Sequence, residues 1–148
     1  MRRFLLDTGI LVHYVRKSSK FAEIEAKENL TSNDCLPMIS VVTYGEILSF
    51  AYQNSWGQPK IQLIQKFISK IIVLDVNSGD TTLINTYAEI DTFSKGRLPG
   101  RPSERSAITM GKNDLWIAAT AKTANATLLT IDSDFDHLDD KYITVRKY

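Results

Sequence analysis

Two short apolar runs in this chain each stop at an aspartate, and this repetition constrains the fold more than any other feature. Phe4-Leu5-Leu6 runs into Asp7-Thr8-Gly9, and Thr127-Leu128-Leu129-Thr130-Ile131 runs into Asp132. Apolar runs this short, bounded by turn residues, read as strands buried on both faces, the habit of parallel sheets. Pro37-Met38-Ile39-Ser40 and Ile71-Ile72-Val73-Leu74-Asp75-Val76 read the same way, and Tyr142-Ile143-Thr144-Val145 as a last short strand. Between them the apolar residues return at helical spacing. Ile10, Leu11, Tyr14 and Val15 make one such face, Phe21 and Ile24 a second, and Val42, Ile47 and Phe50 a third. Ile61, Ile64, Phe67 and Ile68 follow, then Leu83, Ile84, Tyr87 and Ile90, then a helix opened by Asn113-Asp114. Parallel strands need crossover connections. The fold class is therefore α/β, a central, mainly parallel sheet flanked by helices on both faces.

The 148 residues suit one domain spanning 1–148, with no internal repeat and no linker to divide it. With 43% hydrophobic and 24% charged residues, the chain is not a disordered, collagenous or coiled-coil sequence. The uncharged apolar stretch from Cys35 to Thr43 is far short of the ~20 residues of a membrane span. Arg2-Arg3 is followed by three apolar residues and then Asp7, which is no secretory signal. A lone cysteine, Cys35, forms no internal disulfide and reads as a small core residue. The expected location is the cytoplasm.

A net charge of +1 conceals two zones. Lys95, Arg97, Arg101, Arg105 and Lys112 stand against Glu104 alone, in a stretch punctuated by Gly96, Pro99, Gly100, Pro102 and Gly111. That stretch, 94–111, reads as a basic loop. Asp132, Asp134, Asp136, Asp139 and Asp140 follow one another with no lysine or arginine between them. Separate basic and acidic zones on one small domain point to a charged partner.

In open parallel sheets, ligands bind beyond the carboxyl ends of the strands. Asp7, Asp132 and Asp134 fall there, Glu46 a turn into the helix after the second strand, and Asp114 in the first turn of a later helix. Taken singly, each has an ordinary reading. Asp7 closes a turn with Gly9, Asp114 complements a helix dipole, and the late aspartates form a solvated turn. Glu46 is a surface acid on that reading, although Ile47, Leu48 and Phe50 give it an apolar neighbourhood in which a lone carboxylate is costly.

Four stretches together resemble the PIN-domain ribonucleases, in particular the VapC-like toxins of toxin–antitoxin pairs. They are Phe4-Leu5-Leu6-Asp7-Thr8, Ile39-Ser40-Val41-Val42-Thr43-Tyr44-Gly45-Glu46-Ile47, the stretch from Gly111 to Ala121, and Leu128-Leu129-Thr130-Ile131-Asp132-Ser133-Asp134-Phe135. The resemblance implies a PIN-like fold, RNA as substrate, a cognate antitoxin, a homodimer, and Mg²⁺ or Mn²⁺ held by Asp7, Glu46, Asp114 and Asp132. Asp134 shares the position of the fourth acid. Thr8, Thr130 and Asn113 match hydroxyl and amide positions beside the acids.

The residue types agree with that chemistry. Carboxylates without thiols or imidazoles suit Mg²⁺ or Mn²⁺ better than zinc. Metal activation of water needs no covalent nucleophile. The arginines of the 94–111 loop suit RNA phosphates; the ordinary alternative is a solvated loop. Leu48 to Trp56, with Phe50, Tyr52 and Trp56, is the expected partner-facing surface, or else core. Other readings fit less well. An aspartic protease needs paired aspartates on an all-β frame, and a haloacid dehalogenase needs a second aspartate where Gly9 stands. A histidine ribonuclease has only His13, expected to pack or lie at the surface, and His137, expected to be exposed in the acidic turn. The remaining alternative is a non-catalytic RNA- or protein-binding module on the same fold, which has no need to keep clustered acids.

Overall fold

Alternation along each strand sorts its side chains into two cores. The computed structural model describes residues 1–102 and 105–148, so the Glu104 of the basic loop lies outside the described residues. Five strands, β1 (Arg2–Leu6), β2 (Cys35–Ser40), β3 (Ile72–Leu74), β4 (Thr127–Thr130) and β5 (Val145–Lys147), form a sheet of order β3-β2-β1-β4-β5. Every neighbouring pair is parallel. Phe4, Leu6, Ile39 and Leu129 point to one side and Leu5, Met38 and Leu128 to the other.

Helices α1 (Thr8–Arg16), α2 (Ser19–Glu28), α3 (Val41–Gln53) and α4 (Gln58–Ile68) cover the first side with Ile10, Leu11, Ile24, Ile47 and Ile64. Helices α5 (Thr81–Ser94) and α6 (Lys112–Thr123), with a 3₁₀ helix over Ser133–Leu138, cover the second with Ile90, Leu115, Ile117 and Phe135. The expected layering is present, and the described sheet is parallel throughout. Asp7, Ser18, Ser40 and Asp80 cap their helices through side-chain oxygens, each cap being worth roughly 1 kcal/mol.

Two strands differ from expectation. The last one begins at Val145, because Tyr142 and Ile143 are buried in a turn under the 3₁₀ helix rather than paired along the sheet. Asp139 fixes that turn by accepting the Val145 amide at 2.8 Å. The third covers only Ile72–Leu74; it is an edge strand, and Ile72 is 43% exposed. Next to the last strand, Glu28 is buried at the end of α2 and accepts from Arg146 Nη1 at 2.5 Å and from the Tyr148 hydroxyl. Burial works to raise its pKa, but these two partners outweigh it and hold the carboxyl below its usual range.

From β1 the chain builds toward one edge through β2 and β3, then returns to place β4 and β5 on the other side. The direction of winding reverses between β1 and β4. A crevice outside the carboxyl ends of those two strands is the expected ligand position.

Candidate active site

Asp7 leaves β1 at that crevice and caps α1. Its Oδ1 accepts the Thr8 amide at 2.8 Å and its Oδ2 accepts the Thr130 hydroxyl at 2.6 Å. Its own amide donates to the Leu129 carbonyl at 3.0 Å, extending the strand pairing by one residue. Asp7 is buried. Burial pushes its carboxyl up, the Thr130 and Thr8 hydrogen bonds pull it back, and Glu46 and Asp132 push it up again. The Ile131 side chain lies against the first turn of α1: a Cβ on Gly9 would lie 2.6 Å from its Cγ1, so a larger residue there has to displace that partly exposed side chain.

Glu46, on α3, is held from two directions. The Thr8 hydroxyl donates to its Oε1 at 2.8 Å and the Asn113 amide to its Oε2 at 3.2 Å. Asp132 follows β4 and caps the 3₁₀ helix, its Oδ1 accepting the Asp134 amide at 2.9 Å. Its own amide donates to Thr130 Oγ1 at 3.0 Å.

Asp114, in the first turn of α6, has neighbours of its own sign. One carboxylate oxygen from each of Asp114, Asp132 and Asp134 lies within 4.8 Å of the others. The Asp114 carboxyl is pushed up to about 7, first by burial and then by Asp7, Asp132, Glu46 and Asp134. Asp114, Asp132 and Asp134 thus cluster, while hydrogen bonds through Thr130, Thr8 and Asn113 tie Asp7 and Glu46 to the segments that carry them. Crowded carboxylates of this kind fit a divalent cation, which removes the repulsion that the side chains cannot relieve. A groove of about 600 Å³ leads away from Thr8, Glu46 and Asn113 along Gly45, Ser49 and Gln53 of α3.

A model of the PIN domain family matches residues 4–141. The chain belongs to the PIN domain family. Ribonuclease VapC1 of Haemophilus influenzae is 30% identical over 138 residues, which cover 93% of this chain and 92% of that one. Among solved structures, VapBC2 from Rickettsia felis, bound to a DNA fragment from its promoter, superimposes with a TM-score of 0.74 at 21% identity over 98% of both chains. VapBC-5 from Mycobacterium tuberculosis, a member of the VapBC family of toxin–antitoxin systems, does so with a TM-score of 0.64 at 19% identity over the full length of both. At these identities the solved structures show a shared fold.

Elsewhere in this PIN domain the histidines and aromatics sort themselves. His137 is buried, not exposed as its acidic surroundings imply: its Nε2 lies 2.7 Å from Ser94 Oγ, and its ring is near parallel to that of Phe93. Burial and the nearby Arg105 keep its pKa below the ordinary value. His13 is half-buried and bonded to Ser18 at 2.7 Å. Of the expected partner surface, Trp56 is buried and packs edge-on against Phe50, while Tyr52 is 65% exposed. The surroundings of Ser94 and His137 carry no motif in the sequence. The one available signal is that Asp134 and His137 lie three residues apart, one turn of a 3₁₀ helix.

Proposed function

We propose that this protein is a metal-dependent endoribonuclease and the toxin of a toxin–antitoxin pair, hydrolysing RNA phosphodiesters. The observation that carries this reading is the convergence on Asp114 of carboxylates from separate segments, at the point where the sheet reverses its winding. The kinship with ribonuclease VapC1 supports the substrate class. Asp7, Glu46, Asp114 and Asp132, with Asp134 beside them, are the residues that would hold Mg²⁺ or Mn²⁺. Bound there, the ion would supply activation of water and neutralisation of charge on the attacked phosphate.

The remaining work belongs to the chain. Thr130 and Thr8 fix both oxygens of Asp7, and Thr8 and Asn113 fix both oxygens of Glu46, so neither acid must be reoriented when substrate arrives. Near neutral pH the Asp114 carboxyl holds a proton for part of the time and would give it up to a bound cation. Arg97, Arg101 and Arg105 of the 94–111 loop draw the phosphate backbone toward the acids. In the same reading the protein acts in the cytoplasm as a homodimer and is silenced by a cognate antitoxin. Among the described residues no helix is long and apolar enough to cross a membrane.

The test is RNA cleavage by the purified protein. EDTA abolishes it, Mn²⁺ or Mg²⁺ restores it, and Asp114→Asn does not cleave. Full activity in excess chelator overturns the metal mechanism. A non-catalytic module gives no cleavage under any of these conditions.

A further inference from the structure

A second cavity, of about 270 Å³, opens beside the 3₁₀ helix. Its lining divides by chemistry. Phe93, Ser94 and His137 supply aromatic and small polar surface, whereas Arg101, Arg105 and Lys141 supply exposed cations. The rings of Phe93 and His137 are inclined by only 8°, with centroids 6.5 Å apart. Tyr142 meets Phe93 edge-on at 5.0 Å and carries the Arg101 guanidinium 4.9 Å from its ring centroid, which anchors one of the cations. Ser94 and His137 satisfy each other. The inner wall therefore offers ring surface and no unpaired side-chain donor.

Aromatic surface beside a set of cations is the recognition chemistry of a nucleotide. Single-stranded RNA is bound by stacking its splayed bases on rings and pairing its phosphates with arginine and lysine. We infer that this cavity receives one ribonucleotide of the RNA strand, its base against Phe93 and its phosphate among Arg101, Arg105 and Lys141. The inference rests on the ribonuclease reading, and it makes the cavity a specificity pocket for a nucleotide beside the cleaved bond. Position supports it. Asp134 and His137 are one turn apart on the same face of the 3₁₀ helix, a rise of roughly 6 Å, so the cavity adjoins the acids.

The experiment uses ¹⁵N-labelled full-length protein in EDTA, titrated with AMP, GMP, CMP, UMP, inorganic phosphate and the acidic tripeptide Asp-Phe-Glu. At least one nucleotide is expected to shift the signals of Phe93, His137 and Lys141 and to bind at least about fivefold more tightly than phosphate. Phe93→Leu and Lys141→Met are each expected to weaken that binding about fivefold; Lys141 is exposed, so its variant reports even if the Phe93 variant folds poorly. In parallel, cleavage of a mixed-sequence single-stranded RNA with Mn²⁺ is expected to show a raised KM and a nearly unchanged kcat for Lys141→Met. Phosphate binding as tightly as every nucleotide, a response to the tripeptide alone, or both variants binding like the wild type overturns the inference. Absence of cleavage by wild-type protein that still binds a nucleotide at Phe93 upholds the pocket and overturns the ribonuclease reading instead.

Discussion

One hydroxyl, that of Thr130, joins two acids 125 positions apart in the chain: it donates to Asp7 Oδ2 at 2.6 Å and accepts the Asp132 amide at 3.0 Å. Thr130→Val keeps the shape and removes both bonds. Asp7 then loses a partner inside the protein, at a cost of roughly 1–3 kcal/mol. The expected result is a lower denaturation midpoint in EDTA together with loss of RNA cleavage. Thr130→Ser, which keeps the oxygen, is expected to recover most of both. A valine variant as stable and active as wild type would remove Thr130 from the site.

Asp114 gives the metal-free protein a contribution to stability that falls as pH rises. Its pKa is about 7 in the fold against an ordinary 3.8, so the folded state holds the proton more tightly than the unfolded one. Its contribution to stability is complete below about pH 4 and is lost as pH rises through 7. Melting curves in EDTA between pH 5 and 8 are expected to fall with pH, and Asp114→Asn to flatten the fall and melt higher at pH 8. Saturating Mn²⁺ is expected to stabilise the wild type, by about 2.7 kcal/mol at a hundred times its Kd, and the variant much less. Cleavage by the variant should drop beyond the ~100-fold that loss of a supporting partner costs in metal sites.

Glu28 carries the opposite sign. Its pKa is held below the ordinary 4.5 by Arg146 and Tyr148, so its contribution is present above that value and is lost as pH falls through the folded pKa. Glu28→Gln leaves the half-exposed Arg146 without its charged partner. The expected cost at pH 7 is roughly 1–3 kcal/mol, shrinking toward pH 3, with cleavage per folded molecule unchanged. Urea titrations at the two pH values check it.

The basic loop is expected to serve binding rather than chemistry. Replacing Arg97, Arg101 and Arg105 with alanine should weaken RNA affinity and flatten its dependence on salt, by about 0.7 in log–log slope for each phosphate no longer neutralised. Filter binding to Asp114→Asn protein, which holds RNA without cutting it, measures the slope. An unchanged slope would place the strand elsewhere.

The alternation of apolar runs and helical faces is legible in the residues, and with it the layering, since the central strands bury both faces. The position of the acids is legible for the same reason: Asp7 and Asp132 each end an apolar run, and parallel strands end on one side. What the residues do not display is which neighbour a polar group finds across the chain. His137 sits among aspartates and reads as exposed, yet Ser94, 43 positions earlier, supplies the bond that lets it be buried. Tyr142 and Ile143 are apolar and β-prone but spend that character on covering the 3₁₀ helix, and the strand slips to Val145. Local pattern records burial better than it records pairing.

The strand β1 precedes the other four in the sequence and lies in the middle of the sheet. Phe4 must wait for its partner Thr127, and Asp7 for Asp114 and Asp132. A chain still emerging from the ribosome therefore has a first acid without its companions and no crevice to hold an RNA phosphate. On the ribonuclease reading, cutting capacity arrives only once Asp114 and Asp132 have been made and β4 has paired with β1.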